Sequence, residues 1–197
     1  MLRTGLTFDP VEHKYFLDGL PIPGVTGVIE QQLCPVYEKD SDIMKRAAAF
    51  GTAVHSACEF YDKRTLDHAS LAPAIIPYLN GWIKFRAERP GEIICNESLV
   101  CSYKYRYGGK LDRIIDFGKG PELVDLKTST AFSSAVGPQT AAYAQAAEEH
   151  LGIKCKRRLC IKLHENGYGL GLLTDRNDLS IFISALSCKN WRGKHGK

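Results

Sequence analysis

Two short stretches of the chain decide its fold: GGKLD at residues 108–112 and LVDLKT at residues 123–128. Each is an apolar, strand-like run that carries one aspartate, Asp112 in the first and Asp125 in the second. The turn signal GKGP at residues 118–121 lies between them, which predicts two antiparallel strands joined by a short connection. Such a pair can hold both carboxylates at one end of a sheet.

Lys127 follows Asp125 by two positions. Because alternate residues of a strand share a face, the carboxylate and the ammonium group are expected to point the same way. Two carboxylates for a divalent cation, with a lysine beside them, are what a metal-dependent phosphodiesterase needs. The same acid-x-Lys pattern also occurs at residues 12–14, but there it lacks this setting and is taken as accidental.

An amphipathic helix is predicted upstream, at about residues 42–63. Apolar residues recur in it at steps of three and four: Ala47, Phe50, Val54, Ala57 and Tyr61. His55 falls on an adjoining face with Gly51 and Glu59. A lone helix histidine is more often solvated or hydrogen-bonded than functional. Together with Asp112 and Asp125, His55 becomes a candidate metal ligand.

Gln139 and Tyr143 lie one turn apart on a predicted Ala-rich helix and therefore share a face. A surface glutamine beside a core tyrosine would produce the same pattern. The position of the pair immediately after the acid-x-Lys strand and the TST run at residues 128–130 favours contact with a substrate instead.

Taken in order, four motifs resemble those of the PD-(D/E)XK nuclease superfamily, and most of all its RecB-type branch, which includes phage exonucleases. The motifs are GTAVH at residues 51–55, Gly109-x-x-Asp112, Asp125-x-Lys127 and Gln139-x-x-x-Tyr143. The likeness covers about residues 51–163, and the opening segment, residues 8–26, resembles the N-terminal hairpin of phage-encoded members more weakly. Four ordered motifs are much more specific than any one of them.

The resemblance implies a role for each motif residue. Asp112, Asp125 and Lys127 would be catalytic. Mg²⁺ or Mn²⁺ would be bound by His55, Asp112, Asp125 and the carbonyl of Leu126, and Gln139 and Tyr143 would lie beside the DNA strand.

The function implied is that of a Mg²⁺-dependent deoxyribonuclease, acting as an exonuclease on linear or single-stranded DNA. Recombination or replication proteins would be its partners. The alternative is a DNA-binding or partner-binding module that retains a nuclease fold, and the intact acids and Lys127 argue against it. The sequence also leaves open a nuclease directed at RNA.

The expected architecture is an α/β restriction-endonuclease-like core, with a central mixed sheet flanked by helices and an N-terminal β-hairpin. Strands are predicted at residues 92–101, 104–117, 122–128, 155–163 and 168–174, and further helices at residues 74–89, 138–150 and from near Asn177. With 197 residues, 44% of them hydrophobic, the chain can bury one substantial core. We therefore expect one nuclease domain over residues 1–197, with residues 1–30 as a hairpin decoration and residues 175–197 as a C-terminal helix.

Composition also bears on the compartment. No apolar run approaches the roughly 20 residues of a membrane helix, and the first residues lack the apolar core of a signal peptide. We therefore expect a cytoplasmic protein with no membrane partner. Seven scattered cysteines argue against a secreted disulfide framework.

Some relatives in the RecB-type branch hold an iron–sulfur cluster with one early and several late cysteines. The candidates in this chain are Cys34, Cys155, Cys160 and Cys188, with no C-x-x-C pair among them. Cys155 and Cys160 also have opposite parity in the predicted strand. Reduced, buried cysteines are therefore the favoured interpretation.

The net charge of +4 is too small to indicate a nucleic-acid partner by itself. Its distribution is more informative, because basic residues crowd residues 154–162, and residues 103–107 (YKYRY) alternate rings with cations. Both segments are candidates for contact with DNA, by phosphate neutralisation and base stacking. For residues 103–107, an exposed hairpin with packed rings and solvated charges remains the alternative.

Overall fold

The computed structural model describes residues 5–34, 42–128, 133–165 and 167–196, which form two sheets. The first is a small antiparallel sheet at the N-terminus: β1 (Leu6–Asp9), β2 (Lys14–Leu17) and β3 (Leu20–Ile22). The second is the central sheet, with strands in the order of the chain: β4 (Glu92–Ser102), β5 (Tyr107–Asp116), β6 (Pro121–Lys127), β7 (Arg157–His164) and β8 (Gly167–Leu173).

Five α-helices accompany the sheets in the described ranges: α1 (Val25–Gln32), α2 (Asp42–Asp62), α3 (Ile76–Glu88), α4 (Val136–Leu151) and α5 (Asp178–His195). Helix α4 ends where Gly152 adopts φ of 71°, the left-handed conformation that glycine tolerates best. Across the described helices, none is both long enough and apolar enough to cross a bilayer.

The central sheet contains one parallel pairing. Neighbouring strands are antiparallel except β6 and β7, which are parallel, and α4 forms the crossover between them. The register pairs Asp125 with Cys160 and Lys127 with Lys162. This arrangement confirms the predicted mixed sheet flanked by helices, with an antiparallel sheet at the N-terminus.

Apolar side chains form two main cores, one on each face of the central sheet. Helices α2 and α3 pack on one face, where Trp82 and Phe85 are completely buried. Helices α1, α4 and α5 pack on the other, around Tyr107 and Phe182. Because Val25, Val28 and Ile29 of α1 belong to this second core, the end of the N-terminal segment is part of the main body.

Several predicted boundaries shift, for identifiable reasons. Helix α1 was not predicted, because its eight residues are too few to show a clear period. Residues 103–106 were predicted to lie mostly within a strand, and this was wrong, because they form the turn between β4 and β5. Strand β7 begins at Arg157, so Cys155 precedes it and the parity argument about that cysteine does not apply. Asn166 lies outside the described residues, although the pairing of β7 with β8 confirms the hairpin predicted around it.

The two glycines before Asp112 are explained by close packing. A Cβ atom on Gly109 would lie 2.6 Å from Cε1 of Tyr143 and 3.2 Å from Cγ2 of Val25. On Gly108 it would lie 3.1 Å from Cδ1 of Ile22. The glycines therefore allow α1, α4 and the N-terminal sheet to lie directly against β5.

Replacing Gly109 by alanine tests this packing. We expect Gly109→Ala to lower the free energy of unfolding by about 1–3 kcal/mol, the usual effect of overfilling a packed interior. Gly169→Ala is the matched control in a strand, because its Cβ would meet nothing closer than Cβ of Lys162 at 4.0 Å. Urea denaturation of the two variants should separate them, and equal stabilities would contradict the packing argument.

Candidate active site

The candidate site lies where β6 ends and α2 passes close to it. A Cβ atom on Gly51 would lie 3.4 Å from Oγ1 of Thr128, the residue that follows β6. The helix therefore lies in van der Waals contact range of the strand end at Gly51. One turn beyond Gly51, α2 presents His55 to β5.

His55 meets two carboxylates. Its Nδ1 atom lies 3.4 Å from Oδ1 of Asp112 on β5 and 3.8 Å from Oε1 of Glu97 on β4. One possible ligand atom from each of these three residues lies within 4.8 Å of the others. The structure thus brings together two of the predicted metal ligands, His55 and Asp112, with a glutamate that the sequence analysis did not single out.

The second oxygen of Asp112 joins the two motif strands. Its Oδ2 accepts a hydrogen bond of 2.7 Å from the backbone N–H of Leu126. This bond places the Leu126 peptide at the edge of the site, while coordination by its carbonyl remains a prediction.

Asp125 and Lys127 share a strand face, as the period of two indicates. Oδ2 of Asp125 lies 2.8 Å from Nζ of Lys127, and the aspartate side chain is only 3% exposed. Asp125 does not belong to the described group of converging ligand atoms around His55. Its carboxylate contacts Lys127 instead, next to that group.

Glu97 is the residue of this site that sequence reasoning missed. It lies within β4 with φ of 49°, a left-handed conformation that is uncommon for a residue with a side chain. Oε2 lies 2.8 Å from Nζ of Lys110, and Oε1 accepts a 2.9 Å hydrogen bond from Arg113. Glu97 does not belong to a recognisable sequence motif. The sequence showed only an acidic residue within a partly apolar predicted strand.

The charges of the site shift each other's pKa. Burial alone would lower the pKa of His55, but the negative charges of Asp112 and Glu97 raise it to about 10. Burial opposes ionisation of Asp112, yet His55, Lys127 and the Leu126 N–H hold its pKa below the ordinary value. In the metal-free protein, His55 is therefore protonated and Asp112 is ionised at neutral pH.

The pair on β6 is also perturbed. Burial raises the pKa of Asp125 to about 6, although Lys127 acts in the opposite direction. Burial would lower the pKa of Lys127, but Asp125 and Asp112 raise it above the ordinary value. Lys127 is thus a stable cation rather than a base.

Gln139 and Tyr143 lie on α4, close to the same strand end. The Tyr143 ring is 5% exposed and packs in the core, with its hydroxyl oxygen 3.4 Å from Oγ1 of Thr26. Gln139 is half-buried. The structure therefore leaves the Tyr143 hydroxyl, rather than the ring face, as the atom placed for polar contact.

The arginines of the basic segment lie at the other end of the sheet, whereas its last residue, Lys162, pairs with Lys127 at the candidate site. Arg157 pairs with Glu122 at the start of β6, five residues or about 16 Å along the strand from Lys127. Arg158 is also engaged, because its Nη1 lies 2.9 Å from Oδ2 of Asp178. These two arginines stabilise the fold away from the candidate site.

The aromatic segment packs instead of presenting a stacking face. Tyr107 is completely buried and donates a hydrogen bond of 2.9 Å to the carbonyl of Ala142. Tyr103 packs edge-on against His150. This arrangement matches the packed-ring alternative for residues 103–107.

The donor atoms around His55 suit a hard divalent cation. Carboxylate oxygens are the ligands preferred by Mg²⁺ and Mn²⁺, and an imidazole nitrogen is better tolerated by Mn²⁺. The group contains two carboxylates and one imidazole. The residues present therefore fit such an ion, with Asp125 and the Leu126 peptide adjacent.

The raised pKa of His55 can be measured directly. We expect the ring Cε1–H signal of His55 in metal-free protein to titrate near pH 10. In the double variant Glu97→Gln with Asp112→Asn it should titrate below the ordinary value, because burial then acts without the two negative charges. Because the folded pKa exceeds the unfolded value, the protonated ring stabilises the fold fully below about pH 6.5. That contribution should disappear as pH rises through about 10. NMR titration provides the measurement, with His55→Asn to assign the signal, and an unshifted His55 would contradict the geometry.

The chain was compared with known proteins. No curated protein sequence matches the chain. Solved structures of similar fold include a proposed exonuclease from Eubacterium rectale, with 12% identity over 90% of this chain and 76% of that one, at a TM-score of 0.49. LHK-Exo in complex with dAMP has 9% identity over 88% and 92% of the two chains, at a TM-score of 0.47. The alkaline exonuclease LHK-Exo from Laribacter hongkongensis alone has 10% identity over 87% and 90%, at 0.41.

The family comparison is the decisive one. The family model of the PD-(D/E)XK nuclease superfamily matches residues 30–166. This range contains all four motifs and the elements from α2 to the end of β7. The resemblance drawn from the motifs is thereby confirmed, and the chain belongs to the PD-(D/E)XK nuclease superfamily.

Proposed function

We propose that the protein is a DNA nuclease that depends on Mg²⁺ or Mn²⁺ and acts as an exonuclease. The observation that carries the proposal is that the Asp125–Lys127 pair of β6 lies beside Asp112 of β5, which faces His55 of α2 and accepts the Leu126 N–H. The RecB-type branch, a phage origin and partners in recombination or replication are part of the same proposal. So are a cytoplasmic location and a single domain over residues 1–197.

The cation would be held by His55, Asp112, Asp125 and the Leu126 carbonyl, with Glu97 as an added ligand. When bound, a divalent cation would stabilise charge on the phosphodiester and make a water molecule a better nucleophile. Asp112 is already oriented for this task, because the Leu126 N–H fixes one oxygen and leaves the other facing His55. His55 would have to lose its proton to coordinate, so the metal and the proton compete for the ring.

Lys127 is suited to electrostatic stabilisation. Its pKa is raised by Asp125 and Asp112, so the ammonium group keeps its charge at neutral pH. A fixed cation at the end of β6 can stabilise negative charge that develops on the phosphate during attack. Asp125 orients it from 2.8 Å away.

Gln139 and Tyr143 would contact the DNA strand from α4. The Tyr143 hydroxyl and the half-buried Gln139 amide can donate hydrogen bonds to phosphate oxygens, which positions a nucleic acid without reading its sequence. The burial of the ring makes stacking on a base the weaker option.

The alternative is a binding module that retains a nuclease fold. Burying the charges of Asp125 and Asp112 opposes stability unless they are well paired, and apolar residues could fill the same space. A module that only binds DNA has no need for these buried acids. Their retention favours the enzyme.

Removing the proposed catalytic groups gives the first test of function. We expect Asp112→Asn, Asp125→Asn and Lys127→Met each to slow cleavage by roughly 10²-fold or more, as when one charge-stabilising group is removed from an active site. Glu12→Gln is the control, because Glu12 and Lys14 form an exposed acid-x-Lys pair in the N-terminal sheet. Cleavage of labelled DNA with Mg²⁺, Mn²⁺ or a chelator is the measurement. Normal turnover in any of the three folded variants would remove that residue from the mechanism.

The exonuclease assignment needs a different substrate pair. We expect digestion of end-labelled linear DNA, single- or double-stranded, and no digestion of closed circular DNA of the same sequence. Cleavage of both would show an endonuclease. Binding of DNA without cleavage of either form, at any divalent-ion concentration, would favour the binding module.

Tyr143 separates a substrate contact from core packing. Tyr143→Phe keeps the ring, so we expect stability to change little while DNA affinity falls, because only the hydroxyl is lost. Tyr143→Ala should lower stability by about 3–5 kcal/mol, the usual effect of truncating a buried aromatic ring. Filter binding with Ca²⁺ in place of Mg²⁺ would give the affinity. Unchanged affinity in Tyr143→Phe would assign the residue to packing alone.

A further inference from the structure

Arg113 is a completely buried cation directly after Asp112. Its Nε atom donates a 2.8 Å hydrogen bond to Oδ2 of Asp62, and its Nη1 atom donates a 2.9 Å bond to Oε1 of Glu97. The guanidinium also lies 5.6 Å from the centroid of the Trp82 ring. One side chain thus connects the interior between α2 and α3 with a carboxylate of the candidate site.

Asp62 anchors this arginine from the interior. Its side chain is 2% exposed, and its Oδ1 accepts a hydrogen bond of 3.0 Å from Nε1 of Trp82. Asp62 therefore has a fixed position and a fixed charge partner. It lies outside the described group of potential metal ligands, so it does not compete for a cation.

Arg113 fixes the orientation of the Glu97 carboxylate. The backbone of Glu97 adopts φ of 49° inside β4, a conformation that persists only where surrounding contacts impose it. Arg113 bonds to Oε1, the same oxygen that faces His55 at 3.8 Å. A carboxylate oxygen has two lone pairs, so the bond from Arg113 orients Oε1 and leaves one lone pair for a metal ion.

Stability alone does not account for this arrangement. Buried ion pairs are often replaceable by apolar groups without loss of stability. Within the described chain, Nη2 of Arg113 is buried without a hydrogen-bond partner, which opposes stability further. The burial of the Arg113 guanidinium is therefore better explained by its orientation of the Glu97 carboxylate.

We propose that Arg113, anchored by Asp62, is a positioning residue that aims the Glu97 carboxylate at the metal ion bound by His55 and Asp112. The proposal rests on the proposed function, because it concerns the same metal site. It adds two residues that need not touch the metal or the DNA. Partners that orient metal ligands in this way typically change metal affinity by 10- to 100-fold when mutated.

The test is Mn²⁺ binding by the full-length protein, measured by calorimetry without DNA. Arg113→Lys keeps the charge but loses the planar fork, so it cannot bond to Asp62 and Glu97 together. We expect its Mn²⁺ affinity to fall about tenfold. Lys110→Met is the matched control, because it removes the exposed partner of Glu97 and should change affinity less than about twofold.

A double-mutant cycle separates positioning from a general loss of structure. In a Glu97→Gln background, Arg113→Lys should no longer weaken Mn²⁺ binding, because the group that it orients is already absent. An equal loss in both backgrounds, or wild-type affinity in Arg113→Lys, would overturn the proposal. If Arg113→Lys fails to fold, Asp62→Asn takes its place in the same cycle, with the same two outcomes.

Measurements on the wild-type protein distinguish failure of the proposed nuclease function from failure of the positioning role of Arg113. A wild-type protein that neither binds Mn²⁺ nor cleaves DNA would refute the proposed function, and the positioning role with it. A wild type that binds and cleaves, beside an Arg113→Lys variant with unchanged Mn²⁺ affinity, would refute the positioning role alone.

Discussion

The structure of the site depends on one carboxylate, that of Asp112. It accepts the Leu126 N–H at 2.7 Å with one oxygen and faces His55 at 3.4 Å with the other. These two contacts join β5, β6 and α2, which belong to the part of the chain that the family model covers. The negative charge of Asp112 also raises the pKa of His55, together with Glu97, and that of Lys127, together with Asp125. The geometry and the electrostatics of the site therefore have a common origin.

A local irregularity of the sheet makes this arrangement possible. Consecutive residues of a regular strand point to opposite faces, yet Asp112 and Arg113 both contact side chains of α2. Leu111 and Arg113 should share a face, but Leu111 packs with the α4 core and Arg113 lies against Trp82. The partner strand carries Glu97 at φ of 49° opposite this point. The departure from ideal pleating thus directs three charged groups to one side of the sheet.

The same irregularity explains what the sequence could and could not predict. The shared strand face of Asp125 and Lys127 was predictable because it follows the period of two in a regular strand, and the helix that carries His55 because its apolar residues recur at steps of three and four. The roles of these residues stay predictions. The positions of Glu97 and Arg113 near His55 were not predictable. They depend on a strand whose side chains do not alternate regularly between the two faces, and on pairing between segments far apart in the chain. The burial of Tyr143 was hidden for a related reason, because it follows from the missing Cβ of Gly109 on another element. The count of basic residues could not show at which end of the sheet Arg157 and Arg158 lie, because that depends on the pairing register of β6 and β7.

Charge compensation inside the metal-free site follows from these contacts. Asp125 faces Lys127, Asp112 faces protonated His55, and Glu97 is paired with Lys110 and Arg113. Each buried acid therefore has a cationic neighbour before any metal binds, which allows the fold to form without one. To hold a divalent cation, His55 would have to give up its proton, and the charge of Asp125 would be shared between the cation and Lys127. Of the two cationic partners, only Lys127 would keep its charge for the reaction, because His55 must be neutral to coordinate a metal ion.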